Sequence, residues 1–298
     1  MMADCAIQVR RSSISRFPAR SDSRTIRCRS CARHRGRSTK RIHLSFLHHT
    51  RFVKTDLQGN VLGSVNGLLG HLGCLEFNAE DGRVYGSLEY KNDGIDGVSF
   101  GPAFGMKDDR NYLTVAYGVY GDTTRTDNDY QVLLQYDIAS WHDYERTISQ
   151  EKMHQEGPAE PDGQYFVFTG NTSYGVQNLE YDPQSGWWLM AVYNGKKSMY
   201  PNYSLFAVNG SSKPTRQALK GVPYRAEGWV VPLAELGEKD TASGISGWKK
   251  ALGSTGLESV GNRHYLVAKS FSTQEGSGAK LRIYRFDPDQ KEPFVEVK

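Results

Sequence analysis

The chain has 298 residues and is rich in glycine and aromatic residues, with 31 Gly, 17 Tyr, 12 Phe and 5 Trp. Its formal net charge of +4 is unevenly distributed, because residues 1–51 carry 13 Lys and Arg against 2 acids. That leaves 24 basic and 31 acidic residues in 52–298, which argues against nucleic acid as a partner of this larger part. No run approaches 18 consecutive apolar residues, so a transmembrane helix is not expected.

Residues 1–51 form an Arg- and Ser-rich tail with little apolar periodicity, and we expect this segment to be disordered. Three interpretations stay open: an acid-poor targeting segment, a nucleic-acid-binding arm, or a poorly defined start joined to a domain. The tail has no apolar run of the length that a secretory signal peptide requires. We favour the third interpretation, because the domain 52–298 begins part-way through a repeat.

Two sequence elements recur along the domain. The first is a Leu-Glu pair followed by a turn and an alternating apolar strand, and it occurs at 73–90, 177–194 and 255–271. The second is a short alternating strand that ends in an Asp or Asn turn, and it occurs at 52–60, 132–140, 204–212 and 281–289. The two elements are 29 residues apart after Glu180 and Glu258 but 61 residues apart after Glu76. The first unit therefore contains an insertion, which we place at 91–126.

These spacings predict an all-β fold of the β-propeller type. The minimal unit of about 49 residues has the size of a four-stranded propeller blade. We expect about three recognisable blades plus one outer strand at 52–60. Because propellers close with 4–8 blades, either degenerate blades lie in the insertions or the ring is incomplete. The outer strand at the start favours an incomplete ring.

The Leu-Glu pair, the Asp-Gly turn and the strand "RVYGSLE" (83–89) resemble blades of secreted bacterial propellers. Calcium-dependent propeller phytases and related esterase-like proteins are the nearest named examples. The resemblance implies a secreted or periplasmic protein in which acids at the inner strands hold calcium. The matching positions are Glu76 with Glu89, Glu180 and Glu258, although Glu180 and Glu258 lack a following acid.

Glu76, Glu180 and Glu258 occupy equivalent positions in three units, so their carboxylates should converge. Converging carboxylates repel one another unless a cation compensates them, and oxygen ligands suit Ca²⁺. The alternative is structural: each glutamate accepts backbone N–H bonds from the neighbouring blade and fixes its register.

Three further residues are candidates for ligand binding. His71 precedes Glu76 by five residues, while Tyr174 and Asn178 precede Glu180. Loops at that end of a propeller commonly build the ligand face. His71 and Glu180 are also the candidates for catalytic residues, since a histidine and a carboxylate, such as His71 with Glu76, can perform acid–base chemistry.

The leading functional prediction is a binding module for a small polar ligand or a polymer such as a carbohydrate, at the channel mouth, with calcium as a secondary feature. Its basis is the repeated Leu-Glu pair together with the lack of a common hydrolase, protease or P-loop motif. The main alternative is a metal-assisted propeller hydrolase or lyase. A weaker alternative is a scaffold for protein partners.

Overall fold

The computed structural model describes residues 31–35, 42–48, 51–56, 60–67, 71–78, 80–89, 95–106, 111–152, 156–274 and 276–297. Over these residues the chain is all-β, as the sequence predicts, and it contains several sheets of mainly antiparallel strands. Two short 3₁₀ segments interrupt the strands, at Ile138–Tyr144 and Pro223–Arg225.

The first half of the described chain forms a four-stranded sheet, a hairpin and the greater part of a six-stranded sheet. The four-stranded sheet comprises β1 (Cys31–Arg35), β2 (Ile42–His48), β3 (Arg51–Thr55) and β4 (Val61–Asn66). The hairpin comprises β5 (His71–Asn78) and β6 (Arg83–Glu89). The next four strands are β7 (Ile95–Gly101), β8 (Tyr112–Tyr117), β9 (Tyr130–Tyr136) and β10 (Gly163–Phe168).

The second half contributes a three-stranded and a second four-stranded sheet, with two hairpins between them. The three-stranded sheet comprises β11 (Thr172–Asp182), β12 (Trp187–Asn194) and β13 (Leu205–Asn209). The hairpins comprise β14 (Thr215–Ala218) with β15 (Glu227–Val230), and β16 (Glu238–Lys239) with β17 (Ser246–Gly247). The last sheet comprises β18 (Leu257–Gly261), β19 (His264–Thr273), β20 (Gly276–Phe286) and β21 (Phe294–Glu296).

The first sequence element forms the first two strands of a sheet in all three places where it occurs. In two of these hairpins the turn is the same: an Asn or Asp at the end of the first strand accepts a bond from a Gly four residues later. Gly82 donates to Asn78 at 2.9 Å, and Gly186 donates to Asp182 at 2.8 Å. Both glycines have a positive φ, +71° and +72°, which explains why a residue without Cβ is needed there.

The second sequence element forms the third strand of a sheet in all four places: β3, β9, β13 and β20. Two expectations are corrected by this finding. The strand at 52–60 is not an outermost strand, because β4 lies beyond β3 in the order β1-β2-β3-β4. The segment 91–126 is not an insertion within the first unit, because it contains β7 and β8, which pair with β9 as the hairpin of another sheet.

The predicted tail is described only in part. Strands β1 and β2 lie inside the segment for which the sequence predicts disorder; they pair with each other, and β2 also pairs with β3. The remainder of 1–50 lies outside the described residues.

One sheet is extended by strands from later in the chain. After β13 the chain forms the β14–β15 hairpin, and β15 pairs in parallel with β10 through Tyr165 opposite Trp229 and Phe166 opposite Val230. The hairpin therefore covers the outer edge of the β7–β10 sheet and links that sheet to the next one.

The first strands of successive sheets contact one another. Strand β5 contacts β7, β7 contacts β11, β11 contacts β18, and β1 contacts both β5 and β18. The apolar core fills the spaces between sheets and is built largely by aromatic and branched side chains. Trp188 lies in the largest cluster with Phe104 and Phe206, and Trp248 lies in the next with Tyr265 and Phe286.

Candidate metal centre

The three predicted glutamates lie on the first strands of three different sheets and meet at one place. Glu76 lies in β5, Glu180 in β11 and Glu258 in β18. One carboxylate oxygen of each lies within 4.8 Å of the corresponding atoms of the other two. The shared Leu-Glu register predicts this convergence, and the described contacts among the first strands bring it about.

The glutamate cluster, as we call these three residues, is shielded from water. Glu180 is 4% exposed and Glu258 is 7% exposed, and the Oε2 atom of Glu76 is buried. Burial raises the pKa of Glu76 well above its ordinary value, and the nearby carboxylate of Glu258 raises it further. Burial likewise raises the pKa of Glu180, with a second contribution from the charge of Glu76.

Glu180 has one anchored oxygen, and Glu180 and Glu76 each have one oxygen without a hydrogen bond. Glu180 Oε1 accepts a bond of 2.8 Å from the backbone N–H of Ser259 in β18. The Ser99 hydroxyl of β7 partly offsets the rise in the pKa of Glu76. The Oε2 atoms of Glu76 and Glu180 have no hydrogen-bond partner among the described residues. The register-fixing role and a ligand role are therefore divided between the two oxygens of one side chain.

Ser99 takes the place of the glutamate on β7. It lies opposite Thr114 in the β7–β8 hairpin, as Glu180 lies opposite Leu189 in the β11–β12 hairpin. Sequence reasoning missed Ser99 because β7 lacks the Leu-Glu pair and fell within the presumed insertion. The alternating segment "IDGVSFG" between glycine-rich turns was the available signal.

The other side chains near the cluster favour oxygen donors over a thiolate. Burial raises the pKa of the Cys74 thiol, which donates to the backbone carbonyl of Val98 at 3.6 Å. A protonated, buried thiol is a poor metal ligand. Asn178 precedes Glu180 by two residues and so projects from the same face of β11. It is 1% exposed, and its Oδ1 has no hydrogen-bond partner within the described chain.

The predicted ligand-binding residues lie in different environments. Tyr174 is exposed and lies within β11, not in a loop before it. Asn178 is buried inside β11 and not in a loop, and its Nδ2 donates to the carbonyl of Gly253 at 2.8 Å. His71 begins β5, and its side chain lies outside the described residues.

A second buried charged cluster lies between two loops, and sequence reasoning did not find it. Lys197 Nζ donates to Asp129 Oδ1 at 2.6 Å, to Asn128 Oδ1 at 2.9 Å and to the carbonyl of Arg125. Asp129 Oδ2 accepts a bond of 2.8 Å from Tyr200, whose pKa burial raises to about 12. We call this group the lysine network. It joins the β8–β9 loop to the β12–β13 loop.

Comparison with known proteins gives no assignment. The chain matches no protein-family model, and no curated protein shows significant similarity to it. Among the described residues, no helix has the length and hydropathy needed to cross a membrane.

Proposed function

We propose that the chain is a β-propeller binding module whose first strands hold one Ca²⁺ ion, and that it recognises a polar ligand at the face where those strands begin. The propeller interpretation is supported by the order in which the first strands contact one another, which is β1–β5–β7–β11–β18 and back to β1. Antiparallel sheets whose first strands contact one another in a closed order are typical of a propeller, and five units fall within the usual range of 4–8.

The observation that carries the proposal is the convergence of three carboxylates from separate sheets. Neither Glu76 nor Glu180 forms an ion pair with a described residue, although both are desolvated. Buried like charges are costly to ionise unless a cation compensates them. A bound divalent ion would use the unbonded Oε2 atoms of Glu76 and Glu180 and would remove this cost.

The spacing of the oxygens is compatible with calcium. Ligand oxygens bind Ca²⁺ at about 2.3–2.6 Å, so two of them lie at most about 4.6–5.2 Å apart. The ligand oxygens of the glutamate cluster lie within 4.8 Å of one another, which does not exceed that limit. Asn178 Oδ1 and backbone carbonyls are the additional oxygens that the coordination number of Ca²⁺ requires.

Calorimetric titration of CaCl₂ into chelator-treated protein tests the proposal, together with thermal unfolding in calcium and in chelator. We expect heat of binding and a calcium-dependent rise in Tm for the wild type, and neither for Glu180→Gln. Glu292→Gln, the same change at an exposed position, should behave as the wild type. If the wild type gives neither heat nor a rise in Tm, the cation is removed from the proposal. If Glu180→Gln binds calcium as the wild type does, the glutamate cluster is not the site.

A metal-assisted hydrolase or lyase stays a prediction. It is supported by the raised pKa of two carboxylates, because catalytic acids often have such shifts. Calcium-dependent turnover of a phosphate or sugar ester by the wild type would support it, if Glu180→Gln keeps its fold and loses that turnover.

A further inference from the structure

Three exposed tyrosines form a continuous row. Tyr120 is 43% exposed, Tyr174 54% and Tyr193 36%. The ring centroids of Tyr120 and Tyr174 are 5.8 Å apart, and those of Tyr174 and Tyr193 are 6.0 Å apart. Both outer rings stand nearly perpendicular to the central one, at 86° and 85°. We call these three residues the tyrosine ledge; its outer centroids are at most about 12 Å apart.

The ledge is produced by an irregularity in β11. Thr172 pairs with Asn194 and Val176 pairs with Val192, so β11 has two more residues than β12 in this interval. Such a bulge redirects side chains away from the regular alternation. It places Tyr174 between Tyr193 of the neighbouring strand and Tyr120 of the β8–β9 loop. Gly175, with φ of +78°, allows the close approach of the bulge to Gly118.

The loop that carries Tyr120 is fixed against the bulge and against the lysine network. The backbone N–H of Gly121 donates to the carbonyl of Ser173 at 2.9 Å. Asn128 Nδ2 donates to the carbonyl of Tyr120 at 3.1 Å, and Asn128 Oδ1 accepts from Lys197. The exposed rings are thus held by a buried, charge-balanced support. Because the rings and their loop are already ordered, little conformational entropy is lost when a ligand binds them. Such preorganisation allows a small contact area to give useful affinity.

We propose that the tyrosine ledge binds a neutral polysaccharide chain. Flat aromatic faces bearing hydroxyl groups suit the apolar faces and hydroxyls of sugar rings, and the row of three rings fits an extended ligand better than a single small molecule. The charge of 52–298, with 24 basic and 31 acidic residues, disfavours nucleic acid and other polyanions. Three rings alone provide far less than the roughly 800 Å² that each partner contributes to a stable protein interface.

This inference deepens the proposed function by naming the ligand class and the residues that bind it, and it rests on the proposal that the chain is a binding module. It does not require the cation, because the support of the ledge is the lysine network and not the glutamate cluster. Tyr174 is exposed and lies six residues before Glu180 on β11, whereas Glu180 is buried. The two sites can therefore be tested separately.

Native gel electrophoresis in gels containing one neutral polysaccharide each tests the ledge: a soluble β-glucan, an α-glucan, a mannan and a galactan. We expect retardation by at least one of them, in calcium and in chelator alike. Tyr174→Ala should weaken the binding at least tenfold, while Tyr174→Trp should retain it because the aromatic face is kept. Tyr224→Ala, at a fully exposed tyrosine outside the ledge, should bind as the wild type does.

Gels with DNA and with a polyuronate test the rival ligand class. Retardation of the wild type only by these polyanions, or by none of the polymers, would overturn the proposal, and so would undiminished binding by Tyr174→Ala. The outcome is separate from that of the calcium titration. Polysaccharide binding without calcium binding would remove the cation and leave the ledge, and the reverse result would remove the ledge alone. Because Tyr174 is exposed, Tyr174→Ala should unfold in urea in a single transition as the wild type does, which separates a loss of binding from a loss of the fold.

Discussion

The glutamate cluster and the lysine network are both buried and charged, but they differ in how their charges are balanced. In the lysine network an ammonium group faces a carboxylate, and the described acceptors satisfy its three donors. In the glutamate cluster three acids face one another, and Glu76 and Glu180 each keep one oxygen without a hydrogen bond among the described residues. In the lysine network the charges and the ammonium donors have partners within the protein. In the glutamate cluster the carboxylates repel one another, and this contrast is the reason for proposing a cation.

The largest expected effect comes from breaking the balanced cluster. Lys197→Met should lower the free energy of unfolding by about 3–5 kcal/mol, because it leaves the buried charge of Asp129 uncompensated. Urea unfolding measures this change, and Lys249→Met, at an exposed lysine, is the matched control. A loss below about 1 kcal/mol would show that the lysine network does not hold the two loops together.

The glutamate cluster should respond with the opposite sign. In chelator at pH 8, Glu180→Gln should raise the free energy of unfolding, because the amide removes a desolvated charge and can still accept the bond from Ser259. The expected gain is about 1.4 kcal/mol for each unit by which the native pKa of Glu180 is raised. In calcium the order should reverse, since only the wild type gains binding energy. A variant less stable than the wild type in chelator would contradict the view that this charge is uncompensated.

The dependence of stability on pH gives the smallest but most direct comparison. Since the native pKa of Glu76 and of Glu180 is raised, the folded state binds more protons than the unfolded state above about pH 4.5. Their contribution to stability should therefore fall as the pH rises from 4.5 in chelator. The doubly substituted Glu76→Gln/Glu180→Gln protein should show a shallower fall, and calcium should flatten that of the wild type. Among the described residues, the other titratable groups facing this pair include Glu258, Asp182, Cys74 and Tyr265. Equal slopes for all three samples would contradict the assignment.

The sequence predicted those features that recur at fixed spacing. The Leu-Glu register identified three residues that meet in space, because a shared position on equivalent strands places side chains at equivalent depths. The Asn or Asp and Gly turn was readable in two hairpins for a similar reason. Both signals are local and repeated, so one sequence was enough to find them.

Other features depend on contacts between segments far apart in the chain. Ser99 occupies the position that a glutamate occupies in the other units. The Leu-Glu pattern therefore does not identify the β7–β8 hairpin, and the sequence analysis assigned that hairpin to an insertion. Lys197 and Asp129 are 68 residues apart and belong to different loops. Tyr120 and Tyr193 become neighbours of Tyr174 only through the bulge in β11. Nothing in the local sequence around any of these residues indicates its partner.

The β14–β15 hairpin changes how the sheets can behave as units. In an array whose members contact only their neighbours, each member can unfold almost independently, and stability is a sum of local terms. Here a segment that follows β13 is hydrogen-bonded to β10, so part of one sheet's edge is supplied by chain that belongs with its neighbour. The β7–β10 and β11–β13 sheets are consequently joined into one cooperative block. The tyrosine ledge and the lysine network both lie across that joint, where local opening would require the two sheets to separate together.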